Sequence, residues 1–200
     1  STGEVTAILI ADYANHRIRQ LDMSTQIITT IAGTGTSGFS GDDLQAKDAQ
    51  LKIPRHVHYD KSNGDIYIVD HANHRIRRVR SGIISTVAGK TCTDSDGLGD
   101  GGQAVDACLN YPSHLTTSDA GEWFIADRDR RLIRKVDSNG IITTVAGGGT
   151  ETGDAPATSV KLNGPQTIAL TLAGNLLVAE YSGESHLIRK MDGSGFMKII

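Results

Sequence analysis

The sequence predicts an all-β fold, a β-propeller built of four-stranded antiparallel blades, of which about four are visible. The first observation is an apolar run that ends in an acid and is followed by a pair such as Ile-Arg. The second is a later Ile-Ile-Thr/Ser-Thr-Ile/Val-Ala-Gly segment. A unit that returns after 58, 57 and 53 residues indicates a repeat architecture. The recurring acids are Asp12, Asp70, Asp127 and Glu180.

Each repeat divides into four short strands, as residues 54–89 illustrate. An alternating run follows Pro54, and Asn63-Gly64 forms a turn of the kind that joins antiparallel strands. The apolar, β-branched run 66–69 is typical of a strand buried on both faces. A basic third strand and the segment 83–89 complete a sheet.

Two features of the repeat depart from simple alternation. In the third strand the apolar residues lie three apart, as in Ile76 and Val79, which predicts a bulge or an early end of that strand. Long connections join the repeats, because the chain must cross about three strand spacings to begin the next blade. Their small-residue segments, such as 46–51 and 104–109, can pack as one helical turn.

Counting strands places the chain in one propeller domain, residues 1–200, with repeat units at about 1–53, 54–111, 112–164 and 165–200. The first unit starts at its second strand, so fifteen of sixteen strands are expected. We favour a partial ring from a longer protein over a closed four-bladed ring. A partial ring would expose apolar blade faces, which predicts self-association.

The bulk composition excludes few functions. A formal charge of −3 and 38% apolar residues fit a protein with a sizeable core. No apolar stretch approaches the ~20 residues of a membrane span. The first residues lack the basic and apolar segments of a secretory signal, and the compartment remains undetermined.

Two histidines are the candidate metal ligands. His56 and His114 each lie two residues after a proline, on the strands expected to line a central channel. Converging imidazoles there could bind a divalent ion, but Thr167 replaces them in the fourth repeat. Hydrogen-bonded structural histidines are the interpretation we favour. The sequence holds no phosphate-binding loop and no nucleophile elbow, so we assign no catalytic or cofactor-binding residue.

The recurring acids are interpreted as structural. A catalytic group has no reason to appear once per blade, whereas a hydrogen-bond acceptor that caps a turn does. We expect each acid to form a polar clasp with the Asn, His and Arg groups that follow. The acid-rich segment 94–100 is likewise expected to be a solvated turn rather than a calcium loop.

Cys92 and Cys108 are the two cysteines, and both lie in one connection. They are either unrelated thiols or a disulfide, which would contribute ~3 kcal/mol in the chain-entropy model. A disulfide would favour an oxidising compartment.

Basic residues gather on and before the third strands. We expect them to form a solvated outer rim, since RNA binding would also need stacking aromatics and these make up 4% of the chain. Nucleic acid is therefore an unfavoured partner. The rim residues are Arg75, Arg77, Arg78, Arg128, Arg130 and Arg131.

The Asn-His-Arg tripeptides at 15–17 and 73–75, the Thr/Ser-Thr-Ile/Val-Ala-Gly strands and the 37–42 loop resemble NHL repeats. That resemblance implies a propeller, usually six-bladed, that serves as a platform for proteins and sometimes RNA. A minority of similar propellers are enzymes with a metal in the channel. We therefore predict a non-catalytic scaffold that recognises another protein, or another domain of its parent chain, through its loop faces. A metal-dependent lyase or hydrolase is the first alternative, and an RNA-binding propeller is the second.

Overall fold

The computed structural model describes residues 5–93, 96–182 and 185–200, which form β-strands and short 3-10 turns. Backbone contacts divide the chain into two compact units, Ser1–Val87 and Ala88–Ile200. Each unit contains two of the four sheets. One strand, Ile83–Ala88, belongs to the first unit except for Ala88, which falls in the second.

The first unit contains a three-stranded and a five-stranded sheet. Sheet 1 has the order β1-β2-β3 and sheet 2 has the order β4-β8-β7-β6-β5. The strands are β1 (Ala7–Asp12), β2 (Arg17–Asp22), β3 (Ile28–Ala32), β4 (Leu44–Gln45), β5 (Pro54–Tyr59), β6 (Ile66–Asp70), β7 (Arg75–Arg80) and β8 (Ile83–Ala88).

The second unit contains a four-stranded and a five-stranded sheet. Sheet 3 has the order β12-β11-β10-β9 and sheet 4 has the order β13-β17-β16-β15-β14. The strands are β9 (Pro112–Thr117), β10 (Trp123–Asp127), β11 (Leu132–Val136), β12 (Ile142–Gly147), β13 (Ala155–Pro156), β14 (Pro165–Leu170), β15 (Leu176–Ser182), β16 (Ser185–Met191) and β17 (Phe196–Ile199).

The predicted blades are confirmed. Within the described residues each sheet carries the strands of one repeat, and sheet 1 begins at its second strand as expected. Two extra strands come from the connections: β4 pairs with β8, and β13 pairs with β17. A single bridge between Gln103 and Ile141 makes the same contact in sheet 3. Each connection is thus fastened to the outer edge of the sheet that follows it.

The helical turns expected in the connections are 3-10 turns. They span Ala46–Asp48, Ala104–Asp106 and Ala157–Ser159. The terminal glycine of the preceding repeat anchors two of them: the N–H of Gly33 donates to Ala46 O, and that of Gly89 donates to Ala104 O, each at 2.9 Å.

In sheets 1 and 3 the bulge between the third and fourth strands lies in the fourth strand, so its predicted place in the third strand was wrong. The first strands of sheets 2, 3 and 4 also carry a register shift. Ile18 pairs with Ala32 and Arg19 pairs with Thr30, which leaves Ile31 as the extra residue on β3. Val145 is the corresponding extra residue on β12. The spacing of Ile76 and Val79 has another cause. Successive strand residues face opposite ways, and β7 is buried on both faces, with Val79 on the same face as Arg77.

Each unit encloses a core between its two sheets. In the first unit Ile18 and Ala32 pack with Ile68 and Ile84, and Leu51 of the connection joins them. In the second unit residues of sheets 3 and 4 pack in the same way, and the core includes Ile133, Ala146, Val178 and Met197. The first strands of sheets 3 and 4 also meet there, because Ser113 Oγ donates to Pro165 O at 2.9 Å.

Candidate functional site

The end of each sheet where the second strand finishes and the third begins is called the loop end here. The recurring acid lies at this end and accepts a backbone N–H from the residue two before the proline of its own repeat. Lys52 N–H donates to Asp70 at 2.8 Å, and Asn110 N–H donates to Asp127 at 2.7 Å. Asn163 N–H makes the same contact with Glu180.

A buried arginine from the third strand faces each of these acids. Arg77 lies 3.5 Å from Asp70, and Arg134 lies 3.7 Å from Asp127. In sheet 4, Arg189 Nε donates to Glu180. All three arginine side chains are at most 1% exposed.

The same arginines hold the connection that leads into their sheet. Arg77 donates to Ser40 O at 3.1 Å and to Asp42 Oδ1 at 2.7 Å. Arg134 reaches Leu98 O and Asp100 Oδ1 at the same two distances. Arg189 donates to the carbonyls of Thr152 and Gly153. We call the acid, the arginine and the bound connection the polar clasp.

Burial dominates the electrostatics of the clasp. Removal from water raises the pKa of Asp70 to about 6, although Asn73, the Lys52 N–H and Arg77 favour its charged form. The same cause raises the pKa of Asp127 to about 7.

The clasp of sheet 1 is reduced. Asp12 accepts a hydrogen bond from Asn15 Nδ2 at 2.9 Å and is only half-buried. Arg19, which corresponds to Arg77, has a buried Nε without a hydrogen-bond partner among the described residues.

The predicted basic rim is corrected at Arg77, which is buried in the clasp instead of solvated. Arg75 lies over the ring of Phe39, with its guanidinium carbon 4.0 Å from the ring centroid. Arg78 faces Asp65 at 3.9 Å. The two are half-buried.

The rim residues of the second unit lie on one turn. Arg128 pairs with Asp129 at 2.9 Å, Arg130 is half-buried and Arg131 is exposed. The four residues form the turn at the loop end between β10 and β11.

A polar cavity of about 380 Å³ opens at the loop end of the second unit. Arg128, Asp129 and Arg131 of the turn line it together with three residues from neighbouring segments, which are Asn110, Gly164 and Tyr181. Tyr181 is 60% exposed, and its ring lies edge-on to that of His186 at 5.1 Å. The lining residues include two arginines against one aspartate, so positive charge predominates and a small anionic group could be held there.

Cys92 and Cys108 form a disulfide, with Cα atoms 5.7 Å apart. Within 5–93, 96–182 and 185–200, the one group of three or more His, Cys, Asp or Glu side chains at ligand spacing is Cys92, Asp96 and Cys108. It is not a metal site, because the two sulfurs are bonded to each other. Asp94 and Ser95 of the acid-rich segment lie outside the described residues.

The two candidate metal ligands lie on separate units. His56 is on β5 and His114 is on β9, and both are half-buried. Thr167, the corresponding residue of sheet 4, is exposed. A shared metal site therefore stays a sequence prediction.

Sequence reasoning missed the buried arginines and the cavity. The arginines had a usable signal: an Arg directly follows Ile at 18–19, 76–77, 133–134 and 188–189, whereas the neighbouring basic positions vary. A solvated residue would not need to recur so regularly. The cavity had no such signal, since its residues come from three distant segments.

Repeated sheets of this kind define a β-propeller with NHL-type blades. The clasp is complete in sheets 2, 3 and 4, and a terminal glycine follows the first three repeats. The model of the teneurin NHL domain matches residues 87–159. This match and the teneurin relatives support an NHL-repeat β-propeller family for the chain.

Two relatives and two solved structures illustrate the likeness. The chain is 29% identical to chicken (Gallus gallus) teneurin-1 over 182 residues, which is 79% of the chain and 6% of the relative. It is 31% identical to mouse (Mus musculus) teneurin-3 over 157 residues, which is 66% of the chain and 6% of the relative. The chain thus spans about 6% of the length of these teneurins.

Among solved structures, a protein of unknown function from Bacteroides thetaiotaomicron superposes with a TM-score of 0.71 at 20% identity, over 98% of this chain and 45% of that one. Virginiamycin B lyase from Staphylococcus aureus gives 0.58 at 17% identity, over 97% and 51%. At these identities the likeness shows the fold alone. No helix among the described residues has the length and apolar character needed to cross a membrane.

Proposed function

We propose that the chain is a non-catalytic binding module that recognises a protein partner, or another domain of its parent chain, through its loop end. The observation that carries the proposal is that buried and exposed residues at that end have different roles. The recurring carboxylates, which would be the obvious catalytic groups, are occupied in the polar clasp. The exposed residues beside them differ from sheet to sheet.

The chemistry of those exposed residues supports protein recognition. Tyr111 and Tyr181 are 38% and 60% exposed at the loop end of the second unit, and Arg131 is exposed beside the cavity. Tyrosine and arginine are enriched in protein interfaces, because each combines a large contact area with polar groups.

A displayed library of random peptides tests the proposal. The immobilised protein is panned in the presence of excess soluble Tyr181→Ser variant, so that peptides binding elsewhere are removed. We expect enriched peptides that bind the wild type and lose affinity about tenfold or more with Tyr181→Ser, as hot-spot tyrosines do. Tyr59→Ser is the matched control, since Tyr59 is 55% exposed on β5 and lies outside the loop end.

Two outcomes would contradict the proposal. One is a failure to enrich any sequence, and the other is an equal loss of binding with both tyrosine variants. Circular dichroism of the two variants checks that the fold is retained.

Self-association is a second part of the partner proposal. Among the described residues β1 and β3 are the edge strands of sheet 1. Ile27, directly before β3, and Ile28, its first residue, are 58% and 50% exposed. Apolar edge strands pair readily with other chains. Sedimentation velocity should show concentration-dependent dimers, which Ile28→Lys should abolish; a monomer at all concentrations would contradict this.

A further inference from the structure

The junctions between consecutive sheets differ at one position of the turn. In the first unit His16 occupies the left-handed position that ends the 3-10 turn, with φ 53°, and its Nδ1 accepts the N–H of Ile53 at 3.2 Å. In the second unit the corresponding residue is Arg131, with φ 60°. A guanidinium has no lone pair to accept a hydrogen bond, so Arg131 cannot repeat the contact of His16.

The residue before the proline of the next repeat determines whether the hydrogen bond at the histidine position is needed. Ile53 adopts φ 55°, a strained conformation for a β-branched side chain, and the bond to His16 helps to hold it there. The corresponding residue in the second unit is Gly164, with φ 61°, for which this conformation carries no steric penalty. The side chain at position 131 is therefore not needed to hold this backbone conformation.

Arg131 borders the cavity, and the charges around it favour binding of an anion. Residues 128–131 contain three arginines and one aspartate. Asp129 is paired with Arg128, and the buried Arg134 beneath the turn is balanced by Asp127 and Asp100. Asn110 and Tyr181 add an amide and a phenol to the lining.

We propose that this cavity is a carboxylate-binding site, and that Arg131 receives an Asp or Glu side chain of an acidic peptide segment, while Arg128 stays paired with Asp129. This rests on the proposed function, since the segment belongs to the recognised partner. The planar fork of arginine matches a carboxylate in a bidentate manner, and a phenol can donate a further hydrogen bond. Tyr181 is the one aromatic residue among the described residues that line the cavity of about 380 Å³, whereas single-stranded nucleic acid binds on several stacking aromatics.

Fluorescently labelled acetyl-hexaglutamate amide, titrated against the whole chain at low ionic strength, is the direct probe. Hexaglutamine of the same length is the neutral control peptide. We expect hexaglutamate to bind and hexaglutamine to bind at least tenfold more weakly. Arg131→His restores the residue of the other repeats and should weaken hexaglutamate binding about tenfold or more.

Matched variants separate recognition from general charge. Lys198→Gln removes one positive charge from the exposed β17 of the same unit, outside the cavity, and should leave the affinity within twofold. Arg131→Lys keeps the charge but loses the fork, and should fall between the wild type and Arg131→His. Equal losses with Lys198→Gln and Arg131→His would overturn the proposal.

Free anions provide the remaining arm. Acetate and sulfate are titrated against ¹⁵N-labelled protein, with the amide resonances of Gly164 and Asn110 as the readout. Saturation by either ion at a lower concentration than hexaglutamate would overturn the peptide site and indicate a small-anion site. If library peptides depend on Tyr181 but show no acidic residues and no dependence on Arg131, the carboxylate site fails while the proposed function stands.

Discussion

The guanidinium of Arg134 lies 3.7 Å from the carboxylate of Asp127, and neither side chain is exposed to solvent. The same guanidinium donates to Leu98 O and Asp100 Oδ1 in the connection before its sheet. One side chain thus joins the second strand, the third strand and a loop more than thirty residues away.

At pH 8, above the pKa of about 7 of Asp127, Arg134→Ala is expected to lower the free energy of unfolding by about 3–5 kcal/mol, because it leaves the buried carboxylate without its counter-charge. Lys135→Ala is the matched control, since Lys135 pairs with Glu122 at 2.6 Å but is 31% exposed. That variant should lose less than about 1 kcal/mol. Urea unfolding measures both, and equal losses would contradict a role for burial.

Stability should depend on pH through Asp127. Burial raises its pKa to about 7 from an ordinary value of 3.8, so the folded state binds the proton more tightly than the unfolded chain. The resulting stabilisation is complete below pH 3.8 and is lost as the pH rises through about 7. The difference in unfolding free energy between wild type and Asp127→Asn should therefore change between pH 4 and pH 8.

Asp137→Asn is the control for that titration. The N–H of Ile141 lowers the pKa of Asp137, so its contribution is present above the ordinary carboxyl range and disappears only at acid pH. Its difference from wild type should be constant between pH 5 and pH 8. A slope there for Asp137→Asn, or none for Asp127→Asn, would refute the assignment.

Reduction of the Cys92–Cys108 disulfide should destabilise the second unit. The sulfurs close a segment with a sequence separation of 16, which corresponds to ~3 kcal/mol in the chain-entropy model. Thermal unfolding with and without a reductant measures the loss. The Cys92→Ser/Cys108→Ser variant should unfold at the same temperature as the reduced wild type, with or without reductant. A change in its unfolding temperature on adding reductant would show that the effect does not come from this disulfide.

Gly147→Ala should be more damaging than Gly174→Ala. Both glycines have positive φ, +89° and +76°, so each substitution incurs the same backbone penalty of about 1–2 kcal/mol. A Cβ on Gly147 would lie 2.3 Å from Arg131 O, whereas nothing lies within 4 Å of one on Gly174. We expect Gly147→Ala to lose about 1–3 kcal/mol more than Gly174→Ala in the free energy of unfolding measured with urea. Similar losses for the two variants would show that the backbone around Arg131 moves to accommodate the new Cβ.

The histidine prediction is tested by metal content. If His56 and His114 bind a divalent ion, native mass spectrometry of protein purified without chelator should show a stoichiometric metal. His56→Ala and His114→Ala should each lose it, while His186→Ala, on β16, should not. A metal-free wild type would remove the metal-dependent alternative.

The four sheets were predictable because their signals are local. Alternating and continuous apolar runs, the Asn63-Gly64 turn and the repeated terminal glycines each depend on a few neighbouring residues. The backbone hydrogen bonds that three of the recurring acids accept were also predictable, since a carboxylate present once per repeat was expected to bond to nearby donors. The burial of Arg77 was not predictable, because the length and charge of arginine fit a solvated face as well as a buried ion pair.

By itself, the sequence determined the class of fold, the number of blade repeats and the strands of each repeat, but not the strands β4 and β13 that the connections add. The features it determined depend on periodicity, which every repeat restates. Only the tertiary structure decided which arginines are buried, which strand carries the bulge and where the cavity opens. The physical reason is distance along the chain: Arg134 meets Asp100 across 34 residues, and the cavity lining extends from Asn110 to Tyr181. Such contacts exist only once the sheets have packed.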